Sequence, residues 1–441
     1  MIHAHLAAAG SGGAGFGGGG GGEGGGRGAG LFFLIEILIR IAIFGHGFGV
    51  VIVILIVVAI VLLRLHPHVR AFHAARRDAG RSDRHKTSQR RRRVELAAAE
   101  ASEEDPAFAP EAVIERAANL FTSIQHAWST GDRTALKRIT TPDLYAEWWR
   151  RLDDLDRRGW RNRVEPTEPP TITYVGLTHR GDRATDRVTV RIDARVRDYV
   201  VDGTGRHIKR TGSPTETIRL REFWTLARNA HGDWILASLE RGGEGRHALD
   251  DRIVATPWSD EQALKDEALV ERAVADRTPD GTKIAELADL EFEGGARAAA
   301  LDLSVADGRF APDVLEVAAR RAVAAWAEAV DGSNTRLHAI ASPEATKQLL
   351  YPGGAHNRLV VRGPRIDQIR ITNLDAAAES PTMSVELDVE GRRYIENRDT
   401  TELLAGNRSR PTTFTEHWTF ALDGDASEPW RIVTVGAPAR A

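Results

Sequence analysis

Between Ile41 and Leu63 the chain runs through 23 positions at which His46 is the one appreciably polar side chain. A helix rising about 1.5 Å per residue covers the ~30 Å hydrocarbon layer in that length, so the pattern predicts a transmembrane helix over about 41–65, within a membrane segment 31–65. A cleaved signal peptide fits poorly, because the apolar run is longer than its hydrophobic region and no small-residue cleavage site follows. Upstream, 15 of the 42 glycines fall between Gly10 and Gly30. That stretch cannot bury enough apolar surface to offset its backbone entropy, and residues 1–30 read as a disordered tail.

Beyond residue 105 the hydrophobic period becomes helical. Val113, Ile114, Ala117, Leu120, Phe121, Ile124 and Trp128 recur at three and four, predicting an amphipathic helix that Pro110 opens. Thr141 reads as the N-cap of the next helix, with Pro142 in its first turn and Tyr145, Trp148, Trp149, Leu152 and Leu155 along it. After Pro166, Pro169 and Pro170 the period drops to two. Val188, Val190, Ile192, Ala194 and Val196 alternate with polar residues as in a half-buried strand. At Tyr199 the apolar positions switch parity, which predicts a bulge or bend. Further strands are expected over about 217–228 and 234–239.

The same order of signals returns some 200 residues later. Phe108-Ala109-Pro110-Glu111 corresponds to Phe310-Ala311-Pro312-Asp313, Trp128 to Trp326, and Thr141-Pro142-Asp143 to Ser342-Pro343-Glu344. Tyr199 corresponds to Tyr394, Glu222-Phe223-Trp224-Thr225 to Glu416-His417-Trp418-Thr419, and Trp234 to Trp430. Six anchors in one order mark an internal duplication. Each copy places helices before strands, which predicts an α+β fold of two tandem cone-shaped domains with helices packed on a curved antiparallel sheet. The expected segments are a tail over 1–30, the membrane segment over 31–65, a basic juxtamembrane stem over 66–104, a first domain over 105–245, a helical linker over 246–309 with Ser259 as an N-cap, and a second domain over 310–441.

Charge adds orientation. Overall 59 Lys/Arg face 62 Asp/Glu, but residues 1–100 hold 13 of the bases and 6 of the acids. The remainder is acidic, which argues against a nucleic-acid-binding body. Just after the apolar run stand Arg64, Arg70, Arg76, Arg77, Arg81, Arg84, Lys86, Arg90, Arg91, Arg92 and Arg93. By the positive-inside rule they keep the large carboxy-terminal part cytoplasmic and the amino terminus outside the cell membrane, and they can also lie along anionic lipid. Gly45 and Gly49 form a GxxxG that would let two such helices dimerise. With no cysteine in the chain, disulfides, thiol nucleophiles and thiolate metal sites are excluded.

Phe121-Thr122-Ser123-Ile124-Gln125-His126-Ala127-Trp128, Thr141-Pro142-Asp143-Leu144 and Glu222-Phe223-Trp224-Thr225-Leu226-Ala227-Arg228, set behind a glycine-rich and a membrane segment, resemble bacterial membrane-anchored proteins with a Tim forty-four-like domain. The domain is named for the motor-tethering subunit of the mitochondrial inner-membrane translocase. The resemblance covers residues 105–240 and, more loosely, 308–438, where His417 replaces Phe223. It implies a fold of the nuclear-transport-factor-two-like superfamily, membrane association, contact with anionic lipid, and recruitment of a protein partner such as a translocon or chaperone component.

The same superfamily includes isomerases, so the candidate chemistry has to come from residues. Glu222 shares strand parity with Trp224, as Glu416 does with Trp418. Each could be a pocket base or a rim residue paired with an arginine, and the second reading is preferred. No phosphate loop, His-Glu-x-x-His or Gly-x-Ser-x-Gly occurs. No catalytic set, metal site or cofactor is expected. Trp148, Trp149, Tyr199, Glu222 and Glu416 remain as possible pocket or partner contacts. Adjacent tryptophans on a helix diverge by about 100°, so one of Trp148 and Trp149 should be partly exposed. The expected function is a single-pass membrane scaffold whose tandem domains bind protein or lipid, possible links to protein translocation included. A small hydrophobic ligand in a cone pocket is the alternative, and a tethered isomerase-like enzyme a further one.

Overall fold

A computed structural model describes residues 88–208, 217–275, 290–331 and 333–436. The tail, the membrane segment, Gly45 and Gly49, and the basic residues from Arg64 to Lys86 lie outside the described residues. Among those described, no helix is long and apolar enough to cross a membrane. From Arg91 onward the described chain forms one compact unit.

The first domain begins with a helix over 88–104 (α1). Sequence assigns this stretch to the stem, but Val94, Ala97, Ala98 and Ala101 recur at three and four and enter the first core. Arg91, Arg92 and Arg93 are exposed on it, with Arg91 paired to Glu95 at 2.8 Å, while Arg90 is buried. Helices α2 (Pro110–Thr130), α3 (Arg133–Ile139) and α4 (Pro142–Arg157) follow. They pack on a curled sheet of β1 (Trp160–Pro166), β2 (Thr171–Thr178), β3 (Arg187–Asp202), β4 (His207–Ile208), β5 (Thr217–Arg228) and β6 (Trp234–Arg241). The long β3 pairs with β1, β2, β4 and β5, and β6 closes the far side on β5.

The second domain uses the same plan. It contains α7 (Pro312–Asp331), α8 (Thr335–Ile340) and α9 (Pro343–Leu350), then β8 (Asn357–Asp375), β9 (Thr382–Asn397), β10 (Leu403–Gly406), β11 (Thr412–Ala421) and β12 (Arg431–Val435). The two copies reuse individual contacts. Phe108 meets Trp234 edge-on at 5.2 Å and 81°, and Phe310 meets Trp430 at 5.6 Å and 83°. Trp234 Nε1 donates to the Ala107 carbonyl at 2.8 Å, and Trp430 Nε1 to that of Arg309 at 2.9 Å. The amides of Thr141 and Ser342 each donate, at 2.8 Å, to the last strand of their own sheet, at Leu236 and Ile432. Such edge-to-face aromatic pairs contribute about 0.5–1.5 kcal/mol beyond their area, and here they clamp the helical layer to the sheet.

Three differences matter. In the first copy the run of prolines after Val164 separates β1 from β2. In the second copy β8 stays one strand and absorbs the bend as a register shift between Arg362 and Arg365, around Gly363 and Pro364. The linker is also shared out: α5 (Glu261–Ala275) joins α7 through Asp266–Arg320 at 3.1 Å, β7 (Leu290–Phe292) pairs in parallel with β8, and α6 (Ala296–Ala306) sends Ala296 and Ala300 into the second core. Finally, the expected parity change at Tyr199 does not occur. Alternate residues of β3 stay buried from Val188 to Val200, and its pairing with β1 and β5 runs without a shift. The interior position that looked vacant of an apolar residue belongs to Asp198, held at 2.7 Å by Asn162 Nδ2. Ser259 is not the N-cap of α5: it is the third residue of a 3-10 turn whose N-cap is Thr256, its Oγ accepting from the Ala255 and Thr256 amides, and Asp260 precedes α5 with Oδ1 accepting from the Ala263 amide.

Candidate functional site

Each domain interior carries a polar group among its tryptophans. In the first, Trp224 Nε1 donates to Glu222 Oε2 at 2.9 Å, and Arg241 Nε lies 3.9 Å from Oε1 of the same carboxylate. Glu222 is fully buried. In the second, Glu416 lies 3.2 Å from Arg393 Nε, and burial pushes its carboxyl above the usual range while Arg393 works the other way. The two acids sit in different domains and are each occupied by an arginine. Tyr199 belongs to neither group: its hydroxyl donates to Glu165 Oε1 at 2.5 Å and its ring stacks on His207 at 4.6 Å. Trp148 is fully buried, whereas Trp149 is 46% exposed with the Arg133 guanidinium 5.2 Å above its ring.

Among the described residues, charged side chains of both domains converge where the two meet. Helix α4, opened by Thr141 and Pro142, carries Asp143, Glu147 and Arg151 at a spacing of four, one row on one face. Strand β6 is the last strand of its sheet, so both of its faces reach the junction, Ser238 and Glu240 by one and Leu239 and Arg241 by the other. Gly242 and Gly243 let the chain turn there before Glu244, and a Cβ on Gly243 would already lie 3.3 Å from Ser409 Cβ. From the second domain, Arg358 and Arg362 of β8 lie opposite Glu396 and Arg392 of β9, with Tyr394 between them on the same face. Arg398 and Arg408 flank β10.

These groups join the domains. Arg398 Nη2 donates to Glu147 Oε1 at 2.5 Å, and Arg150 pairs with Asp399 at 2.8 Å. Arg362 reaches Glu244 at 3.1 Å and Glu240 at 3.5 Å, while the Tyr394 hydroxyl donates to Glu244 at 2.5 Å. Burial opposes ionisation of Glu147, yet Arg358 and Arg398 hold its carboxyl below the usual range. Glu240 is likewise held low against burial by Arg362 and His247. Burial works against a charged His247 too, but Glu240, 2.7 Å away, and Asp251 carry its pKa up to about 10. Between the domains the wall encloses a cavity of about 240 Å³, lined from both sides.

Of the five side chains expected as pocket or partner contacts, Trp148 alone lines this cavity, where it is joined by Asp143, Leu144 and Tyr394, which the sequence marked only as motif or duplication anchors. The arginines and glutamates around it carried no local signal beyond the row on α4, because each is one charged residue in an arginine-rich chain. Among the described residues no group of three or more His, Asp or Glu is placed to hold a metal ion.

Residues 94–241 match the family model of the Tim44-like domain, a span that begins in α1 and ends with β6. A solved structure described as an NTF2-like protein involved in plasmid conjugation aligns over 71% of this chain and 93% of its own, at 9% identity and a TM-score of 0.15. No curated protein matches the chain.

Proposed function

We propose that this chain, whose residues 94–241 form a Tim44-like domain, is a membrane-anchored scaffold that binds protein partners or anionic lipid through its two-domain body and does so without catalysis. The disposition of the large side chains carries the reading. Interior tryptophans fill two continuous cores, and the two interior glutamates are committed to indole and guanidinium. Trp149 and Trp258 stand outside, 46% and 79% exposed. Exposed tryptophan is uncommon on surfaces that bind nothing and is enriched at binding hot spots. The junction of buried ion pairs would fix the two domains as one platform, since breaking a buried pair costs about 3–5 kcal/mol. The apolar run at 41–63 and the basic collar behind it would hold that platform at the cytoplasmic face of the membrane.

A photo-reactive amino acid placed in cells at position 149 or 258, with position 204 as an exposed control, tests the scaffold role. Discrete adducts to one protein or to lipid from 149 or 258, and none from 204, are expected. Equal or absent adducts at all three would sink it. Anchoring is checked separately: the full chain should pellet with membranes through high salt, and a variant lacking residues 31–65 should not.

A further inference from the structure

We infer that the cavity between the two domains is a binding site for a small multivalent oxyanion, bearing phosphate or carboxylate oxygens. This goes beyond the scaffold reading and stands or falls separately from it. Six guanidinium groups line the cavity, those of Arg151, Arg241, Arg358, Arg362, Arg398 and Arg408, against the four carboxylates of Asp143, Glu147, Glu244 and Glu396. Glu222 and Glu240 stand behind the lining, near Arg241 and Arg362. Counted with these two the acids equal the arginines, while the lining itself carries two more guanidiniums than carboxylates, and arginine forks match oxyanions in bidentate fashion.

The polar atoms left over in that wall point the same way. Trp148 is fully buried, and its indole N–H has no hydrogen-bond acceptor. Arg408 spends one terminal nitrogen on Glu396 at 2.8 Å and on the Thr401 carbonyl at 2.6 Å, while its buried Nε has no acceptor either. Both are donors. Among the described residues, no acceptor atom of a lining side chain is buried without a partner. A ligand that completes this wall has to bring acceptors, and an unmade bond to a buried donor costs about 1–3 kcal/mol. Burial also holds the Arg151 and Arg241 guanidiniums below the usual arginine range, so an added negative charge near either would be favourable.

Size narrows the class. At about 240 Å³ the cavity falls short of the ~300–1,000 Å³ of drug-sized sites. A diphosphate or a tricarboxylate fits that space. Acyl chains do not, so a phospholipid could present no more than its headgroup.

Titration calorimetry on the full-length chain in detergent, with pyrophosphate and with citrate at constant ionic strength, tests the site, and vesicles of phosphatidylglycerol form the lipid arm. One saturable equivalent per chain is expected for at least one soluble anion. Arg408→Lys, which keeps the charge but loses the fork and Nε, should weaken binding by at least about tenfold, roughly 1.4 kcal/mol. Trp148→Phe, which keeps the ring and removes the donor, should weaken it several-fold. Arg206→Lys, on an exposed turn, should leave it unchanged. Should Arg408→Lys fail to fold, Trp148→Phe decides. Absence of saturable binding by either anion, binding equal in the cavity variants and in the parent, or binding to vesicles alone would overturn the assignment.

Discussion

Asp198 shows how a single residue can hide a strand's true pattern. Its carboxylate takes an interior position on β3 because Asn162 donates to it at 2.7 Å, and Asn162 in turn accepts from Trp128 Nε1 at 2.8 Å. All three are buried, so each bond satisfies a group that water cannot reach. Trp128 thus has two roles, packing edge-on against Trp148 at 5.6 Å and anchoring a polar chain. Trp326 keeps the first, against Trp418 at 5.6 Å, but gives its N–H to the Leu349 carbonyl instead. Trp128→Phe is expected to lower stability by about 1–3 kcal/mol, because it leaves the Asn162 acceptor buried and unused. Urea unfolding of the purified chain measures this. A second substitution, Asn162→Leu in the same background, should not add the full cost of its own loss, since the two residues share one network.

Among the elements, β8 and β6 decide how the domains meet. Gly363 bends β8 at φ +52°, a conformation that disfavours other residues, and it does so against the first domain: a Cβ there would fall 2.4 Å from His247 Cβ. Gly363→Ala should therefore cost about 1–3 kcal/mol or more in strain and overlap. Thermal unfolding followed by tryptophan fluorescence would show the loss. Gly354, with a positive φ but nothing within 4 Å of an added Cβ, is the comparison for strain without overlap. The prolines between β1 and β2 and the bent β8 solve the same geometric problem, turning a strand pair around a curled sheet, by different local chemistry.

For the molecule as a whole, the junction makes stability depend on pH. His247 sits between Glu240 and Asp251, and Glu240 also meets Arg362 of the other domain. Its folded pKa of about 10 lies above the ordinary 6.5. Between those values the folded chain keeps a proton that the unfolded chain has released, so stability falls as pH rises. The contribution is complete below pH 6.5 and lost by about pH 10. Urea midpoints are expected to decline across that window in the parent and to flatten in His247→Gln. Equal slopes in both would show that this imidazole does not carry the effect. Glu147 and Glu240 act with the opposite sign, because their depressed folded pKa values remove stability only as pH falls into the acid range.

Helix and strand periods, the six paired anchors and the order of helices before strands were all readable along the chain, since each reflects which face of a local element avoids water. The same holds for the divergence of Trp148 from Trp149. Arithmetic on apolar length and flanking arginines fixed the expectation of a membrane anchor in the same way. The pairing of Glu147 with Arg398, of Glu244 with Tyr394 and Arg362, and the cavity they surround were not readable. Those partners lie 118 to 251 residues apart. A charged residue that is one of 121 in the chain carries no mark of its mate. Periodicity reports burial within one element, whereas charge pairing between two domains depends on where folded surfaces come to rest.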